Sequence, residues 1–504
     1  MEVQTQEICP QMKSVILASI IKAQSIRGNK EGAYYLDFYR EIETQDLPAQ
    51  YIDIEIHIDA HLIDLIKNDE IFFSEDVTQF SAKKLEGYRR WSDLMRSTFK
   101  GYMLNDINVF QRKSAPTLNY KTILDIFLTK KNQINSYEIK AFEDYINKNG
   151  CGFLDELCKV PKVIYSSFMR SGSTFFRKYL ECITGVATGT PYSNQIIVDF
   201  ALAALGFKGE GHHKDEKTWF VKSHFPVQFR TPSSINVNKA IVCVRNPLDI
   251  IVSQLNLHLT LTHNKNIEND FLTELKNEWD WFIHSDIKTW FEFNDYWMKM
   301  AQAGANYYKS DKDNKEIQDI IPVYFFRFED LITNPYQITK EVFQFVLGVN
   351  DIDGTYLDHR LRQVIGQGSS SNVLYKPRSG TINQNLHLYN DSQLAYIKNL
   401  CKEQLIYFGY ENLSIDEKSA VKHYNLNTEF FDFGKLTEDD LKKSHSFLNS
   451  NKTQQEWCIK HKEALSKHEF EIEKPGQGFY SKLMDEETSQ VFNSIRKNLR
   501  IARK

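Results

Sequence analysis

Residues 162–182, KVIYSSFMRSGSTFFRKYLEC, decide the fold of this chain. Val163, Ile164 and Tyr165 make a β-rich run of the kind a strand favours. The run breaks at Arg170-Ser171-Gly172-Ser173-Thr174, and a helical pattern follows at once. A strand, a small-residue turn and a helix start in succession aim backbone N–H groups and hydroxyls at one point, with the positive end of a helix behind them. An anion is expected there, a phosphate above all. The nucleoside-triphosphatase form of such a turn, GxxxxGK[ST], occurs nowhere in the chain, which argues against a nucleotide kinase. Ser-Gly-Ser also marks ordinary helix N-caps, so the turn alone leaves both readings open.

Three further segments repeat the arrangement. Lys217 to Pro226, KTWFVKSHFP, reads as a short buried strand ending in Lys222-Ser223-His224. Lys239 to Ser253, KAIVCVRNPLDIIVS, reads as a strand ending at Arg245, with Pro247 opening a helix and Ser253 about two turns in. Pro322 to Pro335, PVYFFRFEDLITNP, is a fourth strand running into Glu329-Asp330. Strands alternating with helical stretches imply a parallel sheet. Ligands of such sheets bind at the carboxyl ends of the strands, where Arg170, Lys222, His224 and Arg245 all fall.

With these four segments in place, the chain resembles the sulfotransferase superfamily that uses 3'-phosphoadenosine 5'-phosphosulfate (PAPS). FMRSGSTFF resembles its 5'-phosphosulfate loop, and VRNPLDIIVS resembles its 3'-phosphate segment, with Arg245 and Ser253 eight residues apart. VKSHFP is similar to the stretch that holds the catalytic histidine of the cytosolic branch. FRFEDL resembles the Tyr-Glu-Asp strand, and WFEFNDYWMKM the tryptophan-bearing helix before it. Lys376-Pro377-Arg378-Ser379-Gly380 resembles the loop that closes over the 3'-phosphate. The resemblance covers roughly residues 160 to 412, and TGTPYSN with GFKGEG suggests a branch near the WSC-domain-associated enzymes.

The resemblance implies a role for each residue. Sulfuryl transfer is like phosphoryl transfer, with charge spread over equatorial oxygens and attacking and leaving oxygens in line. Positioned cations then do most of the catalysis. Arg170 is expected at the leaving 5'-phosphate, where many relatives carry lysine; arginine keeps the charge but gives up no proton. Ser171, Gly172, Ser173 and Thr174 would cradle that phosphate, and Lys222 would neutralise the sulfuryl oxygens. His224 is placed as general base for an acceptor hydroxyl. Arg245 and Ser253 would hold the 3'-phosphate, with Arg378, Ser379 and Gly380 capping it. The donor carries its own leaving group and no metal is required.

The chain departs from the family pattern at three points. Phe175 stands where many relatives stack a tryptophan on adenine, which keeps an aromatic face. Phe328 replaces a tyrosine, removing one hydrogen bond to the nucleotide. Ile382-Asn383-Gln384 follows Gly380 in place of Gly-Asp-Trp. None of these removes a charged or proton-transferring group, so an active enzyme is favoured over a retained scaffold or adaptor subunit. Bland readings stand beside the assignments: His224 as a satisfied histidine at a strand end, Lys222 as a carboxylate's partner, Arg245 as a helix-capping arginine.

Composition bounds the rest. The 504 residues suggest more than one domain, and a hydrophobic share of 41% supports real cores. A net charge of −4 implies no nucleic-acid partner. Seven cysteines show no CxxC pair, and their odd number suits reduced thiols in the cytosol. MEVQTQEICPQMKSV lacks the pattern of a secretory leader, and no apolar run approaches the ~20 residues a bilayer crossing needs. A cytosolic small-molecule or glycan acceptor is expected.

The expected fold class is α/β: a mainly parallel sheet flanked by helices, between largely helical extensions. The expected division is residues 1–158, a mixed but mostly helical extension; 159–412, the sulfotransferase core; and 413–504, a helical, charged extension. Both extensions are candidate docking sites for protein partners; the basic end SIRKNLRIARK reads first as a solvated helix end and second as a docking site for an acidic surface. In the first, YIDIEIHIDAH reads as a strand, with alternating isoleucines on one face and a solvated polar face of Asp53, Glu55, His57, Asp59 and His61 on the other; a metal on His57, Asp59 and His61 is disfavoured. Tryptophans 279, 281, 290 and 297 read as core and pocket wall. The acceptor pocket is expected between that helix and the 192–216 loop.

Overall fold

The computed structural model describes residues 9–26, 28–35, 37–38, 42, 54–74, 77, 79–93, 117–155, 162–191, 200–202, 206–210, 217–226, 236–260, 267, 274–307, 321–366, 384–415, 421 and 445–446. The N-terminal part has its own core. Helix α1 (Pro10–Ile26) packs on α2 (Ile54–Lys67), beside an antiparallel sheet of β1 (Ala33–Tyr34), β2 (Phe72–Ser74), β3 (Gln79–Ser81) and β4 (Tyr88–Arg89), in the order β1-β3-β2-β4.

Helix α2 corrects the strand expected over 51–61. Ile58, Leu62, Leu65 and Ile66 recur at helical spacing and are all fully buried. That long-range burial overrides the short alternating run before it. Of the polar residues expected to be solvated, Asp59 and His61 are buried; His61 Nε2 accepts a hydrogen bond from the Cys9 backbone N–H at 2.8 Å. The extension is therefore mixed, with a sheet as well as helices.

A short parallel pair, β5 (Thr117–Leu118) and β6 (Phe153–Leu154), brackets α3 (Tyr120–Leu128) and α4 (Ser136–Asn149). The main sheet follows: β7 (Val163–Ser167), then α5 (Ser173–Thr184), β8 (Phe220–Ser223), β9 (Asn236–Val237, beside the sheet), β10 (Lys239–Val244), α6 (Pro247–Thr260), α7 (Lys276–Tyr307) and β11 (Val323–Arg327). Its strand order is β11-β10-β7-β8, and every pairing is parallel. The chain closes with α8 (Phe328–Thr333), α9 (Pro335–Leu347), α10 (Tyr356–Gly366), α11 (Asp391–Leu400), α12 (Lys402–Phe408) and β12 (His445–Ser446), which pairs antiparallel with β9.

The four sheet strands are buried along their whole length, the signature of a parallel sheet covered on both faces. Alternation sorts their side chains. Ile164, Val221, Ala240, Val242 and Phe325 face α6, α7, α11 and α12, while Tyr165, Phe220, Ile241, Cys243 and Phe326 face α5, α9 and α10. The result is a three-layer α/β core, in accord with the expected class. Because every strand runs the same way, the segments after β7, β8, β10 and β11 emerge at one edge. Of the 413–504 extension, only 413–415, 421 and the β12 pair are described.

Candidate active site

The turn after β7 carries two left-handed residues in three. Arg170 has φ +68° and Gly172 φ +81°, where only glycine is free of a Cβ penalty. Gly172 caps the N-terminus of α5. A Cβ on it would lie 2.5 Å from two carbons of the Phe328 ring, so the turn requires glycine for space as well as for φ. Buried Cys243 supports the turn from below, its Sγ donating to the Ser171 carbonyl at 3.1 Å.

The arginines expected from separate strands meet at this turn. Arg245 Nη1 donates to the Arg170 carbonyl at 2.8 Å, and Arg170 Nε donates to Ser253 Oγ at 2.9 Å. Ser253 and Arg170, expected at opposite phosphates of the nucleotide, touch each other. The Arg245 guanidinium lies 4.6 Å from the Phe328 ring centroid, a cation–π distance. Phe328 is thus wedged between Gly172 and Arg245. Its aromatic bulk has a structural task that does not depend on the missing hydroxyl.

Buried Glu329, next in sequence, braces the β10–α6 turn. It accepts from the Asn246 N–H at 2.9 Å and from the Tyr410 hydroxyl at 2.8 Å, and it lies within Coulombic reach of Arg245. Burial raises its carboxyl pKa. Asn246 in turn caps α6, accepting from Leu248 N–H at 2.9 Å.

His224 stands just past β8 and is buried. Its Nδ1 lies 2.7 Å from the Ser167 carbonyl oxygen, at the end of the neighbouring strand. A carbonyl only accepts, so Nδ1 carries the hydrogen and the lone pair of the neutral ring lies on Nε2. Burial, then the Lys222 cation, push its pKa well below 6.5; the Ser167 contact opposes this and Arg177 adds to it. The histidine is therefore neutral at physiological pH. The Phe225 carbonyl beyond it accepts from Ser166 Oγ at 2.8 Å and from Trp297 Nε1 at 2.9 Å, which pins the strand end to both β7 and α7. Lys222 is buried and shares the sheet face of Phe220, toward α5.

Two buried groups beside the turn have unused hydrogen-bonding capacity among the described residues: Ser171 Oγ and Arg245 Nε. Orphaned donors of this kind are costly unless a ligand meets them. With the backbone N–H groups opening α5 and the two guanidinium groups, they make a set of donors suited to an anion.

The remaining expectations fare variously. Phe175 is buried with its ring 4.8 Å from that of Tyr179, inside the core. Ser173 is buried and Thr174 half-buried in the first turn of α5. Arg378, Ser379 and Gly380 lie outside the described residues. Trp279, Trp290 and Trp297 are buried along α7 and Trp281 packs partly against them, as the core reading expected. Within 192–216, Phe200 packs on Trp91 of the N-terminal core at 5.3 Å, and Glu210 pairs with Arg177 of α5. The sequence offered no pointer to Arg177, Asn246 or Tyr410; buried charge after an apolar strand was the signal for Glu329.

Two arginines meet at a glycine turn after β7, and a buried lysine and a neutral histidine stand at the end of the neighbouring strand β8. Residues 161–356 match the sulfotransferase domain family. A solved mouse sulfotransferase, SULT7A1, complexed with PAP is similar to this chain at 14% identity; the match covers 49% of this chain and 84% of that one, with a TM-score of 0.30. No described helix is long and apolar enough to cross a membrane.

Proposed function

We propose that the chain transfers a sulfuryl group from PAPS to an acceptor hydroxyl, or to an amine, with His224 as general base. The observation that carries this reading is the hydrogen bond from His224 Nδ1 to the Ser167 carbonyl, one strand away from the turn where Arg245 meets Arg170. It leaves the lone pair of a neutral imidazole on Nε2, at a strand end that also carries Lys222, which supports the role of base.

The donor supplies an activated sulfuryl group together with its own leaving group. His224 Nε2 takes the acceptor proton, and the Ser167 carbonyl stabilises the imidazolium that forms. The low pKa keeps the ring unprotonated and ready near pH 7. Lys222 meets charge on the sulfuryl oxygens, and Arg170 with Ser171, Gly172, Ser173 and Thr174 meets the 5'-phosphate. Arg245, with Ser253, takes the 3'-phosphate through charge-assisted contacts, and Arg378, Ser379 and Gly380 close over it. Binding then exchanges the Arg170–Ser253 contact for contacts to the two phosphates.

The acceptor is proposed to be a small molecule or a glycan, and the compartment the cytosol; the five described cysteines, all unbridged, suit reducing conditions. Two measurements test the whole. Adenosine 3',5'-bisphosphate at a hundredfold excess over Kd should stabilise the native protein by about 2.7 kcal/mol. Labelled PAPS screened against hydroxyl and amine acceptors should transfer its label with the wild type and not with His224→Ala. No stabilisation would overturn the nucleotide site. Stabilisation without transfer to any acceptor would make the domain a binding scaffold.

A further inference from the structure

Beneath the phosphate turn lies a buried ion pair that the proposed chemistry does not use. Arg177, one turn beyond Thr174 on α5, is fully buried, and its guanidinium pairs with buried Glu210. Its Nε donates to Thr188 Oγ1 at 2.8 Å and its Nη2 to the Thr188 carbonyl at 3.3 Å. The guanidinium also lies 4.8 Å from the Phe207 ring centroid. Glu181, one turn further along α5, holds Thr188 from the same helix, accepting from its N–H at 3.0 Å and its hydroxyl at 2.7 Å.

What Thr188 leads to gives the cluster its meaning. The next residue, Gly189, extends the sheet beyond β8: it bridges Val221 in parallel, its N–H donates to the Phe220 carbonyl at 2.7 Å, and its carbonyl accepts from the Lys222 N–H at 2.8 Å. The polar chain therefore runs from the helix opened by the phosphate turn, through Arg177 and Thr188, to the backbone of Lys222, two residues before His224. Gly209 lets the Glu210 loop approach: a Cβ there would fall 1.9 Å from the Thr188 carbonyl oxygen.

We propose that Arg177, neutralised by Glu210, is a positioning residue that locks the β8 end carrying Lys222 and His224 to the helix of the phosphate turn. The proposal rests on the reading of His224 and Lys222 given above. Ion pairs buried this deeply are weak sources of net stability but strong sources of fixed geometry when every donor has a partner. Misplacing a reacting group by about 1 Å costs on the order of a hundredfold in rate, so a clamp on the base and the lysine acts on turnover more than on nucleotide binding.

The test uses the full chain with Glu210→Gln, which keeps the shape but weakens the grip on Arg177, and Thr188→Val, which removes the hydroxyl link. Amide hydrogen exchange should speed up in 186–190 and 220–224 while staying unchanged in 168–176. Turnover, read as nucleotide released from PAPS with the acceptor found by screening, should fall about tenfold or more. Stabilisation by adenosine 3',5'-bisphosphate should be retained. Unchanged exchange at β8 in both variants overturns the clamp, as does faster exchange with wild-type turnover. Loss of nucleotide stabilisation in proportion to turnover would assign the pair to general folding and overturn it too. Failure of the parent reading shows separately, as full turnover by His224→Ala or no response of the wild type to the nucleotide.

Discussion

Replacing Gly172 with alanine probes the turn on which the site is built. The alanine must hold φ +81°, which costs an L-residue about 1–2 kcal/mol. Its methyl would also sit 2.5 Å from two carbons of Phe328, and forcing an extra methyl into a packed space costs about 1–3 kcal/mol. The sum is about 2–5 kcal/mol. For a unit the size of the 161–356 domain, each kcal/mol lowers Tm by about 2–4 °C, so a fall of at least about 4 °C is expected in a thermal melt. The cheapest relief is for the Phe328 ring to move, which takes it off the Arg245 guanidinium and should weaken the 3'-phosphate contact proposed for Arg245. Melts with and without adenosine 3',5'-bisphosphate therefore report both effects. A second variant separates the terms: in a Phe328→Ala background the overlap is gone, and Gly172→Ala should cost only the backbone part. Wild-type Tm and nucleotide response in Gly172→Ala, or identical costs in both backgrounds, would refute the reasoning.

Further expectations follow from other residues. Arg245→Met should weaken adenosine 3',5'-bisphosphate binding by about 1.5–3 kcal/mol, tenfold or more, by removing a charged donor; calorimetric titration reads it, and wild-type affinity would remove Arg245 from the site. His224 has its pKa lowered in the folded state, so the unfolded chain binds the extra proton first. That contribution to stability is full above about pH 6.5 and is lost as pH falls. Denaturant melts should show His224→Gln losing less stability than wild type between pH 7 and pH 5, and equal losses would contradict the buried, neutral ring. Asp286 is fully buried on α7, both carboxylate oxygens lack a hydrogen-bond partner among the described residues, and burial raises its pKa. Asp286→Leu should stabilise the domain by about 1–3 kcal/mol near pH 8; a destabilised variant would mean the carboxyl has a partner.

Much of this molecule was legible as a string. Runs such as KAIVCV and VYFFR are too short and too apolar for surface helices, and each ends in a charge or runs straight into one, so a covered parallel sheet with charged strand ends followed from local pattern alone. The same logic failed at YIDIEIHIDAH. Its alternation of isoleucine with charge is a strand signal only while the segment is taken alone, and burial of Ile58, Leu62, Leu65 and Ile66 against α1 made it a helix. Arg177 and Glu210 show the opposite limit. Thirty-three residues part them, and a helix arginine followed far on by a loop glutamate has no spacing that announces a pair.

The sequence by itself determined the strands of the parallel core with the helices that follow them, the glycine turn and the cations at the strand ends, because these depend on neighbouring residues and on the period of the chain. Only the tertiary structure decided that Phe328 fills the space above Gly172, that Ser167 orients His224, and that Thr188 joins α5 to β8. Each of those is a contact between segments distant in the chain, and such contacts are selected by three-dimensional packing and by the cost of leaving buried polar groups unpaired.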